Sequence, residues 1–336
     1  MLSSLSVCRR WAAISLLGAL AAGCSAAGSP SANPALGTAQ PGARTAADYR
    51  ALADGKGTRL SATASNARAW ISPQARHRRA GLIYWGSYDK NTITIYSSVG
   101  VNGKEKGQIT TGLSNPERLF VDRLRNVYAT NIGNNTITAY KPGQTSPFLT
   151  ISNGVNSPTG LTVDAGGAVY CANVGNDTIT VYPHGQTSPS LTINLPSVPE
   201  YLATDASDNL YAAVGTEVME FAKGSTTGKN LGLNVSSPSA LEVDKAGNLI
   251  VLDGSTIDYF SAGKTQPSKQ INVTSGLPFS LSFSADEKTL YVSVLSGSNF
   301  IIQTLSYPNG TSLTNKLTTN AGEWPVSVSP DNALGS

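Results

Sequence analysis

Histidine is almost missing from this chain of 336 residues: there are two, His77 and His184. Charge is thin as well, with Asp, Glu, Lys and Arg together making up 13% of the residues. No nucleophile elbow, phosphate-binding glycine loop, Cys-x-x-Cys pair or His-Glu-x-x-His helix is present. The net charge of +3 falls to about +1 once Arg9 and Arg10 leave with a cleaved leader, too little to draw a polyanion. The one basic run, Arg76-His77-Arg78-Arg79, reads as a solvated segment, so no nucleic-acid partner is expected. The apolar run from Trp11 to Leu20 is too short for a stable membrane span. What remains is rich in Thr, Ser, Asn and Gly. Such a surface suits polar recognition of carbohydrate or peptide, and equally suits an exported scaffold.

The N-terminus reads as a targeting signal. Arg9-Arg10 form a positive region and Trp11–Leu20 an apolar one, followed by Leu20-Ala21-Ala22-Gly23-Cys24. Small residues ahead of a cysteine resemble the lipobox of bacterial lipoproteins, and that resemblance implies removal of residues 1–23 and acylation of Cys24. An ordinary signal peptide with a chance cysteine is the alternative. Ser25 takes the place of the Asp that retains many lipoproteins in the inner membrane, so the outer membrane is expected if the host is Gram-negative. Residues 24–65 are rich in Ala, Ser, Gly and Pro without apolar periodicity, and read as a disordered tether. A basic segment, 66–79, follows, and Trp70-Ile71-Ser72-Pro73 within it is expected to plug against the first repeat. With Cys8 removed and Cys24 acylated, Cys171 is left alone as a small core residue, and no disulfide forms in the mature chain.

The remainder is a repeat. Pro-x-x-Leu-x-x-Asp runs from Pro116 to Asp122, Pro158 to Asp164, Pro199 to Asp205 and Pro238 to Asp244, at intervals of about forty residues. It weakens at Pro278–Ser284 and returns at Pro325–Asp331. One copy contains an alternating strand, Leu161-Thr-Val163, and a turn at Asp164-Ala-Gly-Gly167. A second strand follows at Ala168–Ala172, a β-branched third at Thr178–Tyr182 and a short outer one at Ser190–Ile193. Four antiparallel strands make a propeller blade, and stacking blades in a ring buries both faces of each sheet. Second strands recur near Tyr84, Tyr128, Tyr170, Tyr211, Ile250 and Tyr291. The first copy lacks its opening strand, while the C-terminus ends on an unpartnered one. The expectation is therefore an all-β, closed six-bladed propeller over residues 80–331, with a tail at 332–336. Pro325–Ser329 completes the first blade.

Strand direction then sorts the loops. Residues just after each proline, Glu117, Thr159, Glu200, Ser239, Phe279 and Val326, are expected at the mouth of the central channel. The ends of the second strands, Ser87, Asn131, Asn173, Val214, Asp253 and Val294, share that face. Asp122, Asp164, Asp205 and Asp244 fall at hairpins of the opposite face, where they cap turns.

The run Pro158-Thr-Gly-Leu-Thr-Val-Asp164-Ala-Gly-Gly-Ala-Val-Tyr170-Cys-Ala-Asn173 resembles an NHL repeat. The likeness is good for two copies and loose over the rest of 80–331. It implies a propeller shared by lactonases of the gluconolactonase type, hydroxyglycine-amidating lyases, streptogramin lyases and many binding proteins. The two lyase families depend on channel histidines, whereas His77 precedes the ring and His184 sits on a hairpin of the wrong face. The lactonase type implies a carboxylate–Asn–Asn–Asp set on one divalent cation, for which Glu117 or Glu200, with Asn131, Asn173 and Asp253, supplies hard oxygen ligands for Ca²⁺ or a similar ion. The plainer reading has no cofactor: each Asn satisfies its own turn and the acids line a wet mouth. The favoured expectation is a monomeric, lipid-anchored, non-catalytic module. It binds an envelope protein, peptide or glycan at the channel mouth and touches the membrane through its anchor alone. A metal-dependent lactonase-like hydrolase is the alternative.

Overall fold

The computed structural model describes residues 68–72, 81–97, 105–284, 286–296, 299–318 and 325–330. Blade 1 holds β1 (Trp70–Ile71), β2 (Leu82–Ser87), β3 (Thr92–Ser97) and β4 (Glu105–Ile109). Blade 2 is β5 (Pro116–Val121), β6 (Val127–Asn131), β7 (Thr136–Tyr140) and β8 (Leu149–Ile151). Blade 3 is β9 (Pro158–Val163), β10 (Val169–Asn173), β11 (Thr178–Tyr182) and β12 (Leu191–Asn194). Blade 4 is β13 (Pro199–Thr204), β14 (Leu210–Val214), β15 (Glu217–Phe221) and β16 (Gly228–Asn230). Blade 5 is β17 (Pro238–Val243), β18 (Leu249–Asp253), β19 (Thr256–Phe260) and β20 (Lys269–Asn272). Blade 6 is β21 (Leu277–Phe283), β22 (Thr289–Ser296), β23 (Asn299–Ser306) and β24 (Ser312–Thr318). The last strand, β25 (Pro325–Pro330), returns to blade 1.

Every blade is an antiparallel meander, as the tight turns between alternating segments require. The repeated Asp organises the hairpin between the first two strands. Asp122 accepts hydrogen bonds from the Asn126 backbone N–H, the Asn126 amide and the Tyr128 hydroxyl at 2.7, 2.7 and 3.3 Å. Asp205 does the same with Asn209 and Tyr211. In blades 2 and 4 the spacing of Asp, Asn and Tyr in the sequence is thus one hydrogen-bonded unit at the end of the blade away from the prolines.

The ring closes through blade 1. β25 lies beside β2, with Tyr84 opposite Ser329 and Trp85 opposite Val328, and at the axis it packs between β21 and β5. The expected six blades and the pairing of Pro325–Ser329 are what the structure shows. Trp70–Ile71 adds a fifth strand outside β4, with Trp70 opposite Gln108 and Ile71 opposite Gly107. Ile71 is buried there beside Leu82, Ile93 and Ile109, while Trp70 stays exposed. The plug expected at this segment is an edge strand that covers the open side of the blade.

The core lies between blades. Val127, Ala129 and Tyr140 of blade 2 pack against Tyr84, Ile93 and Ile95 of blade 1. Cys171 is fully buried among blade 2 and blade 3 side chains, and burial pushes its thiol well above the usual range, as befits an inert packing residue. Among the described residues no helix is long and apolar enough to cross a membrane. Residues 1–65, with Cys24 and the tether, and Arg76-His77-Arg78-Arg79 and 332–336 lie outside the described residues.

Candidate functional site: the mouth of the central channel

Each innermost strand carries the same irregularity next to its proline. In blade 4, Pro199 lies opposite Val214 and Tyr201 opposite Ala213, so Glu200 is an extra residue with no partner across the ladder. Ser239, Phe279, Thr159 and Val326 are extra in the same way in blades 5, 6, 3 and 1. In blade 2 the shift spans Glu117 and Arg118. A bulge breaks the pleat locally and re-aims a side chain. The six residues expected at the channel mouth are those that the bulges single out, at one end of one ring. Glycine appears where two such strands crowd: a Cβ on Gly160 would lie 2.7 Å from the Glu200 carbonyl oxygen and 2.9 Å from the Ala172 Cβ.

The second-strand ends do different work. The Asn131 side-chain oxygen accepts the Ser114 N–H at 3.1 Å, and that of Asn173 accepts the Asn156 N–H at 2.9 Å. Both carboxylate oxygens of Asp253 accept from Ser236, and one also accepts the Ser237 N–H. All three residues therefore direct oxygen at the loop two residues before their own blade's proline. Each latches the chain into its innermost strand. The amide nitrogen of Asn131 completes the latch on Thr136 and Thr138, and that of Asn173 on Thr178 and Thr180.

Glu117 of blade 2 and Glu200 of blade 4 come within electrostatic reach of each other. Burial, reinforced by Glu117 and opposed by Arg118, pushes Glu200 up to about 7. The Arg118 guanidinium lies over the Tyr201 ring, 4.1 Å from its centroid, and is itself almost fully buried. Glu242, three residues further along its strand than Ser239, is pushed up to about 8 by burial, which Arg118 and a hydrogen bond with Ser282 partly offset. Among the described residues, Arg118 is thus a buried cation that favours the ionised form of acids on both blade 4 and blade 5. Arg118, Tyr201 and Glu242 escaped the sequence reading. Their signal was present, since they occupy the third and fifth positions of the innermost strands whose second positions were singled out.

Among the described residues no three His, Cys, Asp or Glu side chains group closely enough to share a metal ion. His184 is exposed on the Gly-Gln-Thr-Ser-Pro hairpin and abuts Gly167 beside Asp164, on the face away from the prolines.

No family model matches the chain, and no curated protein matches it. Solved structures do: 1345 chains resemble it, a breadth that speaks for architecture and not for one activity. A chain from the crystal structure of a nidogen/laminin complex superposes with a TM-score of 0.62 at 17% identity, covering 75% of this chain and 100% of that one. Kuenenia stuttgartiensis hydrazine synthase follows at a TM-score of 0.49 and 12% identity, covering 63% and 69% of the two chains. At such identities the first likeness shows the propeller fold, and the second adds nothing to it.

Proposed function

We propose that this protein is a non-catalytic binding module. It is exported, anchored through a lipid on Cys24, and docks a protein, peptide or glycan at the end of the propeller where the prolines lie. The observation that carries the reading is the ring of six bulges, which gathers Glu117, Thr159, Glu200, Ser239, Phe279 and Val326 at one end of the channel. These are acidic, hydroxylic and apolar in turn, a mixture suited to recognition. The propeller of the nidogen/laminin complex is a fold precedent for a protein partner. The test uses affinity-tagged full-length protein against envelope extract, with Glu117→Ala and Phe279→Ala beside a control on the opposite hairpins, Leu124→Ser. Capture lost in the first two and kept in the third supports the reading; capture indifferent to all three sinks it. Fatty-acid labelling that persists in Cys24→Ala would remove the anchor from the proposal.

The rival is a metal-dependent lactonase-like hydrolase, favoured by one observation: Glu117 and Glu200 share a partly neutralised site beside Arg118. Its cation would polarise an ester carbonyl. It asks more of Asn131, Asn173 and Asp253, whose oxygens already accept backbone N–H groups.

A further inference from the structure

Among the described residues, the face that blade 1 turns toward blade 6 carries four polar atoms with no hydrogen-bond partner: Trp85 Nε1, Ser87 Oγ, Thr92 Oγ1 and Thr94 Oγ1. All four residues are 0% exposed. Register brings them together, since Trp85 lies opposite Thr94 and Ser87 opposite Thr92, and alternate residues of a strand share a face. Ile83 and Tyr96 continue that face and pack against Tyr291 and Ile302 of blade 6.

The same place in blades 2 and 3 is filled by a carboxamide. Asn131 Nδ2 donates to Thr136 at 3.3 Å and Thr138 at 3.0 Å, and Asn173 Nδ2 donates to Thr178 and Thr180 at the same two distances. Thr92 and Thr94 repeat that threonine pair. Ser87 stands in the asparagine position, and its side chain ends one atom short of the amide nitrogen.

We propose that the seam between blades 1 and 6 is a buried hydration site, in which one water held by Trp85, Ser87, Thr92 and Thr94 does the bridging that Asn131 and Asn173 do elsewhere. The donor count suits water. The indole N–H can only donate, and hydroxyls donate or accept, so a water accepting from Trp85 and one hydroxyl can donate to the other two. An ion suits the site less. Tyr291, Ser293, Ile302 and Thr304, which share the facing surface of blade 6, are all uncharged, and an ion there would be desolvated without a counter-charge.

Thr94→Val in the full chain decides the matter by sign. If a water bonds the hydroxyl, the isosteric methyl strips that water of a partner, and the melting midpoint falls by about 2–4 °C. If nothing bonds it, the substitution removes an unsatisfied buried group and the midpoint rises, which overturns the proposal. Thr138→Val, whose hydroxyl Asn131 bonds, gives the reference fall. A high-resolution crystal structure should show a water about 2.7–3.2 Å from these atoms, displaced in Ser87→Asn. A protein group bonded to the hydroxyls, or an anomalous bromide peak at the site after halide exchange, would equally refute it.

Discussion

The Tyr307 hydroxyl donates to the Asp244 carboxylate at 2.6 Å, across the boundary between blades 6 and 5. In blades 2, 3 and 4 the corresponding Asp receives a tyrosine hydroxyl from its own second strand, at 3.2–3.4 Å. Blade 5 has Ile250 at that position, and its neighbour supplies the missing donor. Burial would raise the Asp244 carboxyl, but the bonds from Tyr307 and Asn248 outweigh it and hold it below the usual carboxylate range. The Tyr307 ring also stacks on Tyr259 at 5.8 Å and meets Phe283 edge-on at 4.7 Å. Tyr307→Phe keeps those ring contacts and loses the bond to a charged acceptor, so it should cost about 1.5–3 kcal/mol in urea unfolding. Tyr128→Phe, whose hydroxyl reaches Asp122 at the longer distance of 3.3 Å, should cost less. Equal losses would show that the cross-blade bond has no special weight.

Stability should fall as pH rises through neutrality. Glu200 and Glu242 titrate at about 7 and about 8 in the folded protein, against 4.5 for a free side chain. The folded state therefore keeps protons that the unfolded chain releases. Their contribution is fully present below the unfolded value and is lost as pH climbs through the folded ones. Melting midpoints should decline between about pH 5 and pH 8, and Glu242→Gln should flatten the upper part of that decline. A midpoint that rises over the same range, or a Glu242→Gln profile parallel to the parent, would show that these acids are solvated and ionised.

Much of this was legible because the repeat is chemically literal. Pro, Leu and Asp mark the start, core and hairpin of each innermost strand, and the incomplete first copy and surplus last one disclose the closure. Which residues share the proline end of the ring followed from strand direction alone. Their cause did not, since a bulge leaves no mark in the residue types of Glu200 or Ser239. Residues joined by the ring itself were hidden too: Arg118 meets Tyr201 and Glu242 from blades that lie 80 or more positions away in sequence. Tyr307 could not be matched to Asp244 because it comes from a different blade and a different strand. The asparagines were readable as turn residues, whereas their bond to the loop ahead of the proline required the fold.

Closure by β25 predicts a sharp asymmetry between two truncations. Ending the chain after Pro330 leaves every pair between β2 and β25 intact and should not move the midpoint. Ending it after residue 324 removes an innermost strand that touches β2, β5 and β21 together. That exposes the edge of blade 1 and opens the ring, so the midpoint should drop by about 10 °C or more, or the cooperative transition should vanish. A chain shortened at 324 that melts with the parent would mean that the ring does not depend on its last strand.

The latch geometry separates binding protein from metalloenzyme. Asn131 and Asn173 hold a backbone N–H and two threonine hydroxyls each, so either alanine variant strands several buried polar groups and should lose about 2–4 kcal/mol whether or not metal is added. If these residues instead ligated a cation with Asp253 and Glu117 or Glu200, a saturating metal would stabilise the parent protein and not the variants. A ligand at a hundred times its Kd adds about 2.7 kcal/mol, which is visible in a melting curve. The expected outcome is no shift with excess Ca²⁺, Mn²⁺ or Zn²⁺, and no hydrolysis of a lactone panel. A metal-induced rise that Asp253→Ala abolishes would reverse the preference for a binding module, because the Ser236–Asp253 latch alone gives a cation nothing to select.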